Sequence, residues 1–315
     1  MRKSKAGIDN IGFELILKAK GAAQLTEKFL ITADGLEYGK IQIRDGKVHI
    51  NLCLPRFIRT NNVCPFGLDD MKILQDIRKA LKYELAALGS GGDCLLNSVE
   101  CNLTQRVVGE ATPDQVLNLL HICYADKTNV VYEGPSKACK YHKEKQTLIV
   151  REKNKYILKA YNKSLQQKNE GNLDVEEGLL RIEIIMQGRI IQHLFGRRCN
   201  IINVLTEVNL KKVITEYKRI FSKDIMERYV GPSLKGIKAL LLNSLNEFDK
   251  IPSVIYKHKE IIVDISLLRD VIKIWHEQWG EPDYSRQDMY RIREFNLPKD
   301  TIRTIKEFYN ACGSL

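Results

Sequence analysis

"GKIQIRDGKVHINLCLP", residues 39–55, decides how the first half of the chain is read. Apolar and polar residues alternate on either side of Asp45-Gly46, a pair suited to the tight turn of a β-hairpin. In a strand, residues two apart share a face. Val48, Ile50 and Leu52 therefore point one way, and His49 and Asn51 the other. The pattern recurs in "SVECNLT" (98–104), where Val99, Cys101 and Leu103 oppose Ser98, Glu100, Asn102 and Thr104. "LLRIEIIM" (179–186) sets Leu180, Ile182, Ile184 and Met186 against Arg181 and Glu183, and "YILKAYNK" (156–163) puts Lys159, Tyr161 and Lys163 on one side. "IGFELILKA" (11–19) and "QTLIVREKNK" (146–155) also read as extended.

Two helices interleave with these strands. "LDDMKILQDIRKALKYELAAL" (68–88) places Leu74, Ile77, Leu81, Leu85 and Leu88 on one stripe and stops at "GSGG". "TPDQ" (112–115) opens the second, with Thr112 as cap, Pro113 in the first turn and Gln115 closing a capping box. Val116, Leu119, Leu120 and Cys123 are its buried stripe. From about residue 205, apolar residues recur at three- and four-residue spacing through "NLKKVITEYKRIFSKDIMERY", "GPSLKGIKALLLNSLNEF", "DISLLRDVIKIWHEQW" and "KDTIRTIKEFYNACG". The expected fold class is α+β, an antiparallel sheet with helices on one face, spanning residues 1–200. A mainly helical C-terminal domain follows over 201–315, with the boundary at the "FGRRCN" turn.

Lys and Arg number 50 against 39 Asp and Glu, a net charge of +11 that attracts polyanions, nucleic acid above all. A solvated basic surface is the plain alternative. No apolar run nears the roughly 20 residues needed to cross a bilayer. The basic start lacks a small-residue cleavage site, so neither membrane nor secretion is expected and a cytoplasmic protein is. The eight cysteines (53, 64, 94, 101, 123, 139, 199 and 312) include no CxxC pair, which argues for reduced thiols over zinc ligands or a disulfide framework.

If the strands share a sheet, its apolar face lies under helices and its other face carries His49, Glu100, Glu183, Arg181, Tyr161 and Lys163. Antiparallel sheets often leave a polar face to water, and a solvated surface is the competing explanation. Carboxylates facing a phosphate ligand would repel it, unless they hold a divalent cation that bridges the two. An RNA-binding sheet would present stacking aromatics instead, and apart from Tyr161 none stands at these positions. No GxxxxGK[ST] loop is present, hence no helicase motor, and no His-hydrophobe-His pair.

In "KVHINLCLPRFIRTNNVCPFGLDDMKILQDIRKAL" (47–81), "SVECNLT", "TLIVREKNKYILKAYNKS" (147–164) and "GLLRIEI" (178–184), the chain resembles the gene II/X replication initiators of filamentous phages and related plasmids. The resemblance runs in order from about residue 38 to 200. It implies an HUH-like initiator nuclease core that nicks one origin strand, stays joined to the 5′-phosphate through tyrosine and later rejoins the strand. By position, Tyr161 would be the nucleophile and Lys163 its neighbouring cation. Glu183 matches the family's strand glutamate; Glu100 stands where the family has Asp, and His49 where many members have Glu. These three would hold Mg²⁺ or Mn²⁺, and the nitrogen of His49 suits Mn²⁺ better. The implied partners are origin DNA, single-stranded or in a hairpin at the nick site, and a host helicase. A non-catalytic DNA-binding replication or copy-control regulator is the alternative. His142, in the basic "KYHKEK" stretch, reads as a DNA-backbone contact, and Tyr156 as the weaker nucleophile candidate.

Overall fold

The computed structural model describes residues 6–16, 27–44, 47–60, 64–125, 130–132, 147–172, 174–248, 250–279 and 286–313. The Asp45-Gly46 turn and His142 lie outside them. The chain is α+β. Strands β1 (Gly7–Leu15), β2 (Glu27–Ile31), β3 (Glu37–Arg44), β4 (Lys47–Cys53), β5 (Asp93–Arg106), β6 (Val130–Tyr132), β7 (Thr147–Glu152), β8 (Tyr156–Asn162) and β9 (Leu179–Gln187) form an antiparallel sheet. Their order is β2-β3-β4-β1-β5-β9-β8-β7-β6, and a short β10 (Cys199–Asn200) also pairs with β5. Central β1 precedes the hairpin in sequence yet sits between β4 and β5.

The chain divides into two compact units. The first gathers Met1–Thr104, Ile149–Lys159 and Arg181–Arg219; the second gathers Gln105–Leu148, Ala160–Leu180 and Ile220–Leu315. This division crosses the border at residue 200 expected from the sequence, because segments far apart in the chain pair side by side.

In the first unit, β3 and β4 pair antiparallel with Arg44 opposite Lys47. Ile8, Ile11, Phe13, Val48, Ile50, Leu52, Val99 and Cys101 are buried to 1% exposure or less, the apolar face that the alternation implied. A 3₁₀ stretch, Leu68–Ile73, leads into α1 (Leu74–Ala87), which buries Leu74, Ile77, Leu81 and Leu85. After α4 (Gly188–Phe195) and α5 (Ile201–Val204), helix α6 (Glu207–Arg219) packs on β1, and the Tyr217 hydroxyl donates to the carbonyl of Ile182 at 3.0 Å. The start of β1 is pinned by a two-way backbone exchange between Ile8 and Phe66 (2.9 and 2.8 Å). A Cβ on Gly7 would lie 2.6 Å from the Phe66 carbonyl oxygen, so this close approach requires glycine.

In the second unit, α2 (Pro113–Tyr124) begins as its capping box dictates. Thr112 Oγ1 accepts from Gln115 N at 3.2 Å, and Gln115 Oε1 accepts from Thr112 N at 2.9 Å. β8 stops at Asn162, whose side chain accepts from Leu165 N at 3.0 Å and caps α3 (Lys163–Asn169). Lys163 is thus the first residue of a helix, not the next rung of the strand. A π-helical stretch (Ile220–Val230) precedes α7 (Gly231–Phe248), α8 (Ile251–His258), α9 (Ile265–Gln278), α10 (Arg286–Arg293) and α11 (Thr301–Gly313). Leu241, Val254, Ile255, Leu268, Ile272 and Ile292 are at the centre of one apolar cluster among these helices. No helix among the described residues is long and apolar enough to cross a membrane.

Candidate metal centre

The site starts from an irregularity in β1. Ile8 pairs with Cys101 and Asn10 with Glu100, so Asp9 is an extra residue inserted between two successive rungs of β5. A β-bulge of this kind turns two consecutive side chains toward one face. Ile8 stays in the apolar core, while Asp9 and Asn10 both serve the polar side: Asn10 Nδ2 donates to Glu100 Oε1 at 3.1 Å.

Asp9, Glu100 and Glu183, from β1, β5 and β9, each offer a carboxylate oxygen within 4.8 Å of the other two. Asp9 is 1% exposed and Glu183 4%. Burying the Asp9 and Glu183 carboxylates requires compensation, and Arg181 contributes to it. Its guanidinium is fully buried, with Nη1 3.2 Å from Asp9 Oδ2 and 3.7 Å from Glu183 Oε1, while Nε donates to Thr104 Oγ1 at 2.7 Å. Asp9 also accepts from Asn102 Nδ2 at 3.2 Å and from the Cys53 thiol at 3.7 Å. Lys159 Nζ lies 3.9 Å from Glu183 Oε2.

Among the described residues, Arg181 and Lys159 both approach the carboxylate cluster. Burial pushes the Glu100 carboxyl up to about 8, helped by the charges of Glu183 and Asp9, with Lys159 and Asn10 pulling the other way. The Cys53 thiol is held at about 12 by burial and by Asp9, so it stays a protonated donor and not a thiolate ligand. Among the described residues, none hydrogen-bonds to the buried Oδ1 of Asn102. Three converging carboxylates with an amide oxygen beside them make an all-oxygen donor set that fits a hard divalent cation such as Mg²⁺ or Mn²⁺.

The structure thus brings together Glu100 and Glu183 of the residues expected to bind metal and adds Asp9. His49 is not among them. It pairs with Glu14 on β1, four residues along from the Asn10–Cys53 rung of the cluster. Four residues of strand span about 13 Å, too far for a shared ion. His49 lies at a different position along the strands from the cluster. Arg181 contacts carboxylates and is closed to solvent. Tyr161 is half-buried near the end of β8; Tyr156 is buried. Lys163, 1% exposed, holds its ammonium 5.9 Å from the centroid of the Tyr161 ring and donates to Gln166 Oε1 at 2.8 Å. The expected side-by-side strand placement of Tyr161 and Lys163 gives way to this cation–ring contact because α3 starts at Lys163.

Asp9 had a readable signal. In "GIDNIGFEL" the large apolar residues are Ile8, Ile11, Phe13 and Leu15, and the single three-residue gap in a two-residue rhythm marks the bulge. Compared with protein-family models and with curated protein sequences, the chain matches none.

Proposed function

We propose that this chain initiates rolling-circle DNA replication by nicking one origin strand and rejoining it through a covalent 5′-phosphotyrosine at Tyr161. The observation that carries the reading is the convergence of Asp9, Glu100 and Glu183 on one face of an antiparallel sheet. Lys159, whose ammonium approaches Glu183, adds support: it lies two residues before Tyr161 in the same strand. On this reading the sheet is an HUH-like nuclease core followed by a mainly helical C-terminal domain.

A divalent cation held by Asp9, Glu100 and Glu183 would act as Lewis acid toward a non-bridging oxygen of the scissile phosphate. Arg181 fixes Asp9 and Glu183 in place from behind. The Tyr161 oxygen attacks phosphorus, a Tyr–O–P bond forms, and the P–O3′ bond breaks to leave a 3′-hydroxyl. Lys163, whose ammonium lies 5.9 Å from the centroid of the Tyr161 ring, is the neighbouring cation on this reading. The phosphotyrosine ester retains the bond energy, so rejoining needs no ATP.

The test uses supercoiled plasmid carrying the DNA that flanks this gene, incubated with Mg²⁺ or Mn²⁺. Nicked or relaxed product and a covalent protein–DNA adduct are expected, both lost in Tyr161→Phe. Gel retardation without nicking, unchanged by the substitution, would instead identify a non-catalytic DNA-binding regulator.

A further inference from the structure

The second unit contains a basic cleft of about 410 Å³ at the starts of α9 and α11. Arg269 of α9, Lys299 from the preceding loop, and Arg303 and Lys306 of α11 line it, and the only carboxylates among its lining residues are Asp264 and Asp300. Four positive charges thus stand against two negative ones, and both negative ones are engaged. Asp264, 2% exposed, accepts from Ser266 N at 2.8 Å and from Ile302 N at 2.9 Å, so one carboxylate caps α9 and ties the start of α11 to it. Ile265 N donates to the Pro298 carbonyl at 2.7 Å, closing the same junction. Asp300 accepts from Glu110 N at 3.0 Å and lies 3.7 Å from Arg303. Lys299 is drawn to Glu110 at 2.7 Å.

The walls are therefore fixed, and the surplus charge is cationic. Arg269 Nε is buried and has no hydrogen-bond partner among the described residues. Arg303 and Lys306 are exposed on successive turns of α11. An arginine fork with flanking ammonium groups is matched to the oxygens of a phosphate. The cleft has more room than an isolated phosphate needs and can admit the sugar next to it. In a chain of net charge +11, DNA is the anion that brings such groups in a continuous row.

We propose that this cleft binds a backbone phosphate of DNA, a contact separate in residues from the carboxylate cluster. It rests on the reading of the chain as a DNA-processing protein, but not on cleavage. Residues at the cleft add affinity that is independent of base sequence and sensitive to salt.

Fluorescence anisotropy of the full chain with duplex DNA from beside its gene, in EDTA so that no cleavage occurs, tests the cleft. The Arg303→Gln/Lys306→Gln double variant is expected to weaken binding on the order of tenfold per lost contact near ~0.1 M salt, and to lower the slope of log affinity against log salt by roughly 2. A control, Lys211→Gln/Lys223→Gln, removes two exposed lysines elsewhere and is expected to change neither. Arg269→Gln, which leaves α11 untouched, gives an independent measurement should the double variant melt early, and is expected to lower the slope by roughly 1. Unchanged affinity and slope in the cleft variants, or an equal loss in the control, overturns the proposal. So does micromolar binding of inorganic phosphate or a free nucleotide that the double variant abolishes while DNA affinity stays the same. DNA binding through the cleft without nicking sinks the catalytic reading alone; nicking with an unchanged salt slope in the cleft variants sinks this one alone.

Discussion

Two ends of the same three strands differ sharply. Where β1, β4 and β5 meet at Asn10, Cys53 and Glu100, a bulge turns Asp9 inward, and an arginine from β9 is buried between carboxylates. Four residues along, His49 faces Glu14 in regular pairing, and Glu14 makes an ion pair with Lys47 at 3.0 Å whose lysine is 58% exposed. Both ends carry polar residues on one face. At one, the charges are buried and share an arginine that is closed to solvent; at the other, water screens them. Alternation alone treats the two ends as equivalent, and burial separates them.

Metal binding should break the equivalence most. Glu183→Gln is expected to weaken Mn²⁺ binding, followed by the EPR signal of the free ion, by at least on the order of 100-fold. His49→Gln should leave it unchanged. Equal effects would mean that the ion sits elsewhere on the face.

Stability comes next. Arg181→Met removes a fully buried cation shared by Asp9 and Glu183, a loss of about 3–5 kcal/mol in urea unfolding. A loss below about 1 kcal/mol would show that the carboxylates are already protonated or hydrated. The Glu100 carboxyl sharpens the point. Its folded value of about 8 lies above the unfolded value near 4.5, so the folded state holds the proton more tightly. Its stabilising contribution is complete below about pH 4.5 and lost as pH rises toward 8. In EDTA, Glu100 should thus reduce stability by about 1.4 kcal/mol per pH unit across that window. Glu100→Gln should flatten this slope, and Mn²⁺ binding at pH 7 should release about one proton, read by calorimetry in buffers of different ionisation enthalpy. The smallest effect belongs to the regular end: His49→Gln should change unfolding free energy by no more than about 0.5 kcal/mol.

Much of this was legible from residues alone. The capping box at Thr112 and Gln115, the stripe of α1, and the inward face of β4 follow from side-chain chemistry over a few residues. Glu100 and Glu183 could be assigned to one face because a strand's pleat repeats every two residues. The location of His49 could not, because position along a face depends on register with strands distant in the chain. Lys163 was misplaced for a related reason: Asn162 can extend a strand or cap a helix, and the choice was made by the fold around it.

The sequence by itself determined which residues are buried or polar in each strand and helix, since these depend on local periodicity. Only the tertiary structure decided that Asp9 joins Glu100 and Glu183, that Arg181 is their buried counter-ion, and that Asp264 locks two helix starts into one basic cleft. Those arrangements need long-range pairing to bring charges together, and no local rule specifies which distant partner will meet them.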